Sequence, residues 1–551
     1  MNRFAQLDHR FLWHPFTQMR DWLRAEPIVI ASGKGAWLQD VQGRRYLDAN
    51  SSIWTNLHGH RHPRLNAALQ RQLRRIAHSS ALGFANEPAS LLAEKLVAAA
   101  QVTPHPFQHL QPPVEDGATA GCPTPERGSV SRSTLKSEKL SGFLPLPDAK
   151  TPSFSLGQPD VASSPMASKA PLPPKDRLSK VFFSDNGSTT LEVALKLAYE
   201  FTRRTRGPKT RPKFLSLEGA YHGDTVGAVS VGHIDLFHKS FAGLLFKTDQ
   251  VMAPYCYRCP FNRAKPERAD ARDYRRCHWE CTALVAKKFA AQKRRGNPYA
   301  AFVYEPLMQG AAGMIPQPDG WLEQVTGLAR AHGALLIADE VMTGFGRTGL
   351  LEETAKQPRP AGEKAAQPPL FASTRTGIQP DFLCLAKGLT GGYLPMAATI
   401  TTERVFDAFL GKYEEFKSFF HGHTFTANQL GAAAGLASLE LLHSAASLKA
   451  RRQLQKTLQT ELPSLWTQPH VGDLRQVGLV AGIELVKNWR TRQPYALRER
   501  AGIRVCEAMA RRGVLTRPVG NVIVLMPPYC TTPKETARMV AVLHEAITEA
   551  L

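Results

Sequence analysis

Along the 551-residue chain, short unbroken apolar runs alternate with longer stretches in which apolar positions recur every three or four residues. "KVFFS" (180–184), "KFLSL" (213–217), "AFVYEP" (301–306), "ALLIAD" (334–339) and "FLCLA" (382–386) are of the first kind. Continuous rather than alternating apolarity predicts strands covered on both faces, as in a parallel sheet. "STTLEVALKLAYEF" (188–201) is of the second kind. There Leu191, Ala194, Leu195 and Ala198 share one face of a helix, with Glu192 and Lys196 spaced as an i,i+4 ion pair outside. Beyond about 445 the pattern gives further helices and short strands, "GLVAGIELV" and "NVIVLMPP". The prediction is an α/β protein: a large domain with a mainly parallel sheet (51–444) and a smaller α+β domain built from 1–50 and 445–551.

Two segments break this pattern. Residues 103–176 and 352–370 are biased toward small and turn-forming residues, have little periodicity, and hold too few apolar side chains to offset the entropy of ordering them. Both read as disordered surface insertions. No apolar run approaches the roughly 18 residues of a membrane span, and the N-terminus lacks a signal-peptide h-region. A cytoplasmic address without membrane contact is therefore expected.

Composition alters the picture at two points only. A formal charge of +22 raises nucleic-acid binding as a rival. The basic residues are scattered, however, through pieces such as "RQLRR" and "KKFAAQKRR", with no helix-turn-helix pattern, finger spacing or RNA-binding aromatic signature, so no nucleic-acid partner is expected. The eight cysteines do not suggest a disulfide framework. Cys256 and Cys259, then Cys277 and Cys281 beside His278, have a spacing that would suit zinc; the chemistry inferred below needs no metal, and reduced thiols are the expectation.

In open α/β sheets ligands collect beyond the carboxyl ends of the strands, so each strand is read to its end. The first leads into "SDNGSTTLE", where a glycine and hydroxyls open a helix whose free N–H groups suit an anion; a Ser or Thr helix cap is the plainer reading. The second leads into "EGAYHGD", an aromatic at a strand end. "LLIADEV" ends on Asp339, an acid in a run too apolar for an unpartnered carboxylate. "FLCLAKGLTGG" ends on Lys387, followed by glycines that would let backbone approach a bound group. "FFHGHTFTANQ" supplies glycine and a hydroxyl before a further helix. Together these meet the needs of pyridoxal 5′-phosphate: a Schiff-base lysine, a carboxylate for the ring nitrogen, an aromatic against the ring, and an anion nest.

"IADEVMTGFGRTG" followed by "DFLCLAKGLTGG" resembles the signature of the class III aminotransferases, of fold type I. "WHPFTQM", "SSIWTNLHGHRHP", "YHGDTVGAVSVG" and "LTRPVGNVIVLMPP" narrow the resemblance to members that convert 8-amino-7-oxononanoate to 7,8-diaminononanoate in biotin synthesis. The resemblance implies that Lys387 anchors the cofactor and carries the proton, that Asp339 keeps the ring nitrogen protonated, and that Gly187 and Ser188 bind the phosphate. It implies Tyr221 against the ring, Val341 on the opposite face, and Arg517 on the substrate carboxylate. It implies a homodimer in which Gly422, His423 and Thr424 enter the partner's site. Two positions depart from the pattern: a tyrosine is Phe16 here, and a tryptophan pair is reduced to Ile53–Trp54. Both belong to the substrate pocket, which bears on the amino donor: S-adenosylmethionine is expected, with lysine as the alternative. A ω-amino-acid aminotransferase acting on GABA or ornithine is the enzyme alternative; a basic binding protein on the same fold is the alternative of another class.

Overall fold

The computed structural model describes residues 1–101, 175–350 and 368–551, all within one contact unit. Most of the two biased segments, 103–176 and 352–370, lies outside the described residues. The largest sheet has seven strands, in the order Leu178–Ser184, Ala397–Thr402, Phe382–Leu385, Leu335–Asp339, Ala301–Tyr304, Phe214–Leu217 and Asp249–Val251. The five unbroken apolar runs between 180 and 386 are all in it. Ala397–Thr402 is antiparallel to both its neighbours, and the other strand pairs in the sheet are parallel. Strands Leu178–Ser184, Phe214–Leu217, Ala301–Tyr304, Leu335–Asp339 and Phe382–Leu385 therefore end on one edge.

Ala397–Thr402 escaped the sequence reading because "AATITT" is rich in threonine. In the fold it is buried throughout, and Thr399 and Thr401 donate their hydroxyls to the carbonyls of Thr190 and Asp381. That satisfies polar groups which would otherwise be costly to bury.

Helix Gly187–Arg206 buries Leu191, Ala194, Leu195 and Ala198 as its stripe predicts. The Glu192–Lys196 pair does not form. Glu192 Oε1 instead accepts the N–H of Gly227 at 2.7 Å, at the start of helix Val226–Ser230, and Lys196 Nζ lies 3.1 Å from His421 Nδ1. An orphan N–H at a helix start is a better use of a carboxylate than an exposed ion pair. The helix cap is Asn186 rather than a serine or threonine. Its side chain accepts from Thr189 N–H while the Thr189 hydroxyl accepts from Asn186 N–H.

The two ends of the chain share a sheet: Arg45–Asp48 pairs in parallel with Val514–Leu515, beside the Ile30–Lys34 and Trp37–Asp40 hairpin. A five-stranded antiparallel sheet includes Val471–Val477, Val480–Asn488 and Val522–Leu525. Among the described residues no helix is long and apolar enough to cross a membrane.

Candidate active site

The shared strand edge opens into a cavity of about 560 Å³ whose wall includes Gly187, Ser188, Tyr221, Asp339, Lys387 and Trp54. Gly187 and Lys387, 200 positions apart, meet there because parallel strands deliver their ends to one side.

Lys387 follows strand Phe382–Leu385 and takes a left-handed φ of 37°, an uncommon backbone state for a side chain of this size. Burial lowers the pKa of its amine, against an upward pull from Asp339 and Glu305. A lysine so placed has a larger neutral, nucleophilic fraction. The glycines after it serve the fold: a Cβ on Gly392 would stand 2.9 Å from the Thr55 carbonyl carbon, and one on Gly391 would stand 3.0 Å from His58 Cδ2. They admit the neighbouring 55–58 segment, and Gly392 also lines the cavity.

Asp339 is held on both oxygens. Oδ1 accepts the Val341 N–H at 3.0 Å and Oδ2 lies 2.8 Å from Nδ1 of the buried His222. The second ring nitrogen of His222 has no partner among the described residues. The sequence reading passed over His222, although it directly follows Tyr221. It also passed over Glu305, which ends strand Ala301–Tyr304, lines the cavity and accepts the Gly310 N–H at 2.8 Å. Burial pushes the Glu305 carboxyl up to about 7.

The helix start expected to serve as an anion nest lies in the cavity wall. With Asn186 capping Thr189, the N–H groups of Gly187 and Ser188 find no acceptor among the described residues. The Ser188 hydroxyl accepts the Asp224 N–H at 3.0 Å, and Asp224 in turn takes the Tyr221 hydroxyl at 2.7 Å. A Cβ on Gly187 would meet Val341 Cγ1 at 2.8 Å, and one on Gly223 would lie 2.1 Å from Ser188 Oγ. Only glycine fits at either place. Burial, then the Asp224 carboxylate, keeps the Tyr221 phenol protonated well beyond its usual range.

The remaining sequence-predicted residues are distributed unevenly. Val341 lines the cavity, and the Trp54 ring stands 5.1 Å from Lys387 Nζ. Phe16 is an exposed rim residue, 6.5 Å edge-on from Tyr221 and 5.1 Å from Phe237, a neighbour the sequence did not single out. Ile53 and Arg517 are exposed and outside the cavity lining. Gly422, His423 and Thr424 also lie outside it; His423 Nδ1 is 3.3 Å from Asp185 at the rim, and the Thr424 carbonyl is 3.0 Å from His78 Nε2.

Cys256, Cys259, Cys277 and Cys281 line a separate void of about 10 Å³ as free thiols. Burial pushes the Cys256 thiol up to about 12. Among the described residues no group of three or more His, Cys, Asp or Glu is arranged to hold a metal ion.

A set of donors and acceptors of this kind fits pyridoxal 5′-phosphate: an anion nest, a fixed carboxylate and a desolvated lysine on one cavity. Comparison with known proteins agrees. An adenosylmethionine-8-amino-7-oxononanoate aminotransferase of Geobacter sulfurreducens is 40% identical over 540 residues, 98% of this chain and 96% of its own. The protein of that name from Aquifex aeolicus is 36% identical over 98% of this chain and 96% of its own. The crystal structure of the Methanocaldococcus jannaschii protein of the same name superposes with a TM-score of 0.75 at 34% identity, covering 99% of each chain. An amine transaminase from an uncultivated Pseudomonas species, solved in its PLP-bound form, superposes at 0.74 with 28% identity over 98% of this chain and 99% of its own. The aminotransferase class-III family profile matches residues 19–118, 160–357 and 366–547. The chain belongs to the class III aminotransferases.

Proposed function

We propose that this enzyme transfers an amino group to 8-amino-7-oxononanoate, giving 7,8-diaminononanoate for biotin synthesis, with pyridoxal 5′-phosphate as cofactor and S-adenosylmethionine as donor. The observation that carries the reading is the convergence of Lys387, Asp339, Tyr221 and the Gly187–Ser188 nest on one cavity, in a chain 36–40% identical over nearly its full length to several proteins of that name.

The bound cofactor supplies an electron sink for the carbon that loses its proton. The chain's own residues do the rest. Lys387 presents a neutral amine to anchor the cofactor and then moves the proton at the substrate carbon, where desolvation suits it to general-base work. Asp339, fixed by His222 and the Val341 N–H, holds a proton on the ring nitrogen. Gly187 and Ser188 bind the phosphate, and Asp224 fixes the Tyr221 ring against the cofactor. Arg517 takes the substrate carboxylate, and Phe16, Ile53 and Trp54 shape the donor pocket.

On this reading residues 51–444 form the cofactor-binding domain and 1–50 with 445–551 the smaller one; pairing of Arg45–Asp48 with Val514–Leu515 supports joining the two ends. The working unit is a homodimer in the cytoplasm, with Gly422, His423 and Thr424 completing the partner's site. Exposed apolar side chains on both sides of the His78–Thr424 contact, Leu82, Phe84, Phe420 and Phe425, support an interface there.

The test mixes holoenzyme with each donor separately and follows loss of the visible cofactor band, then scores amination of 8-amino-7-oxononanoate. Rapid loss with S-adenosylmethionine is expected. Rapid loss with lysine alone would replace the donor, and turnover of GABA or ornithine without amination of the oxononanoate would overturn the reading.

A further inference from the structure

Residues Ser51 to Trp54 form a turn of the wrong hand. Their φ angles are 47°, 47°, 63° and 68°, with ψ of 55° at Ser52 and 56° at Ile53. Left-handed backbone is unfavourable for any L-residue and most so for a β-branched one such as Ile53. A run of it persists only where the surroundings over-determine it, and such runs cluster at functional sites.

The surroundings here are specific. The Asp48 carboxylate, 3% exposed, accepts the Ser52 N–H at 3.0 Å on Oδ1 and the Ser52 hydroxyl at 2.9 Å on Oδ2. The same Oδ2 lies 3.0 Å from His60 Nε2. Burial opposes ionisation of Asp48, yet the His60 and Ser52 contacts hold its carboxyl below the usual range. At the other end of the turn, the Trp54 N–H donates to the Asn50 carbonyl at 2.9 Å and its indole N–H to Asn50 Oδ1 at 2.8 Å. The outcome is an indole face 5.1 Å from Lys387 Nζ, within the range where a ring favours a cation.

We propose that Asp48 is a positioning residue acting through Trp54: it clamps the strained 51–54 turn so that the indole face meets the Lys387 nitrogen and favours its charged form. The proposal rests on Lys387 as the cofactor anchor and not on the identity of the substrates. Other titratable groups share the cavity with Lys387: Asp185, Tyr221, His222, Asp224, Glu305, Asp339 and Tyr393. Of these, Asp339 and Glu305 act on its amine; Asp48 is not among them. Removing the Asp48 charge should therefore reach Lys387 only through the turn.

The experiment is a pH titration of the visible cofactor band in the holoenzyme, for the parent, Trp54→Leu, Asp48→Asn and the double variant. Trp54→Leu should lower the midpoint by about 0.5–1 pH unit, since the charged nitrogen loses its ring partner. Asp48→Asn should lower it in the same direction, and the double variant should shift no further than Trp54→Leu alone. No shift in Trp54→Leu, no shift in Asp48→Asn, or shifts that add in the double variant would each overturn the proposal. Should Asp48→Asn fail to fold, Ser52→Ala, at an exposed residue, asks the same question: it should give a smaller downward shift that vanishes in the Trp54→Leu background, and no shift would overturn the proposal. Failure of the assigned substrates would leave the titration untouched, because none is present. Absence of the band in the parent would instead sink the cofactor reading.

Discussion

Two cations in this protein, the half-buried Lys387 and the fully buried Arg475, sit near carboxylates and have opposite fates. Lys387, in the cavity wall, makes no direct hydrogen bond or ion pair among the described residues; burial outweighs Asp339 and Glu305, and its pKa falls. Arg475, on strand Val471–Val477 of the antiparallel sheet, has burial working against it too. It nevertheless donates to Asp473 Oδ2 and Glu484 Oε2, each at 2.8 Å, and to the Met314 carbonyl at 2.8 Å. There Tyr255, Glu484 and Asp473 prevail and raise its pKa. Burial by itself does not make a reactive base. Desolvation without an ion pair or hydrogen bond suits a lysine to act as a base, and a buried charge held by such partners becomes part of the scaffold.

Breaking the reactive member should give the largest effect. Lys387→Ala should lower transamination by more than about 10³-fold, since the proposed anchor and proton carrier are lost together. Lys387→Arg should fare no better, because a guanidinium stays charged. Single-turnover loss of the cofactor band checks both, and near-normal turnover in either would remove Lys387 from the mechanism. Breaking the scaffold member should act on stability instead. Arg475→Met leaves the buried Asp473 without its cation and Glu484 with Arg258 alone, and should cost about 3–5 kcal/mol in denaturant unfolding. Equal loss of stability in the Lys387→Ala protein would erase the distinction.

Glu305 sharpens the comparison through pH. Its folded pKa, about 7, lies above the ordinary carboxylate value of 4.5. The stability it contributes as a neutral acid is complete below pH 4.5 and is lost as pH rises through about 7. Glu305→Gln, neutral at every pH, should therefore be the more stable protein above pH 7, by about 1–3 kcal/mol, and should show a flatter melting-temperature profile between pH 4.5 and 7. A profile parallel to the parent's would mean that Glu305 is ionised in the fold. The smallest effect is expected at the rim, where neither burial nor pairing is extreme. Phe16→Tyr restores a hydroxyl to an exposed ring and should change KM for S-adenosylmethionine by about 2–10-fold, equivalent to one hydrogen bond.

The strands that build the site were legible because a strand covered on both faces needs an unbroken apolar run, and such runs end abruptly on the residue that faces the cavity. Lys387 and Asp339 stood out as charges directly after such runs, and Gly187–Ser188 as a helix start. His222 and Glu305 did not stand out. A histidine or glutamate in a loop has many uses, and His222 acquires its own only from Asp339, 117 positions away. Arg475 and Asp473 lie on a strand whose sequence, "VGDLRQV", looks half-solvated; mutual pairing is what allows it to be buried.

Local chemistry in the chain thus determined the sheet's direction, the edge on which ligands collect, and the residue types offered to a cofactor. These follow from periodicity and from the cost of burying charge, which act over a few residues at a time. Tertiary structure decided the rest. The partners that fix Asp339, the wall that leaves Lys387 desolvated, and the left-handed turn that brings Trp54 to it depend on contacts distant in the chain. Strain of the kind seen at 51–54 cannot be read from sequence, because local preference argues against it and only the surrounding fold holds it in place.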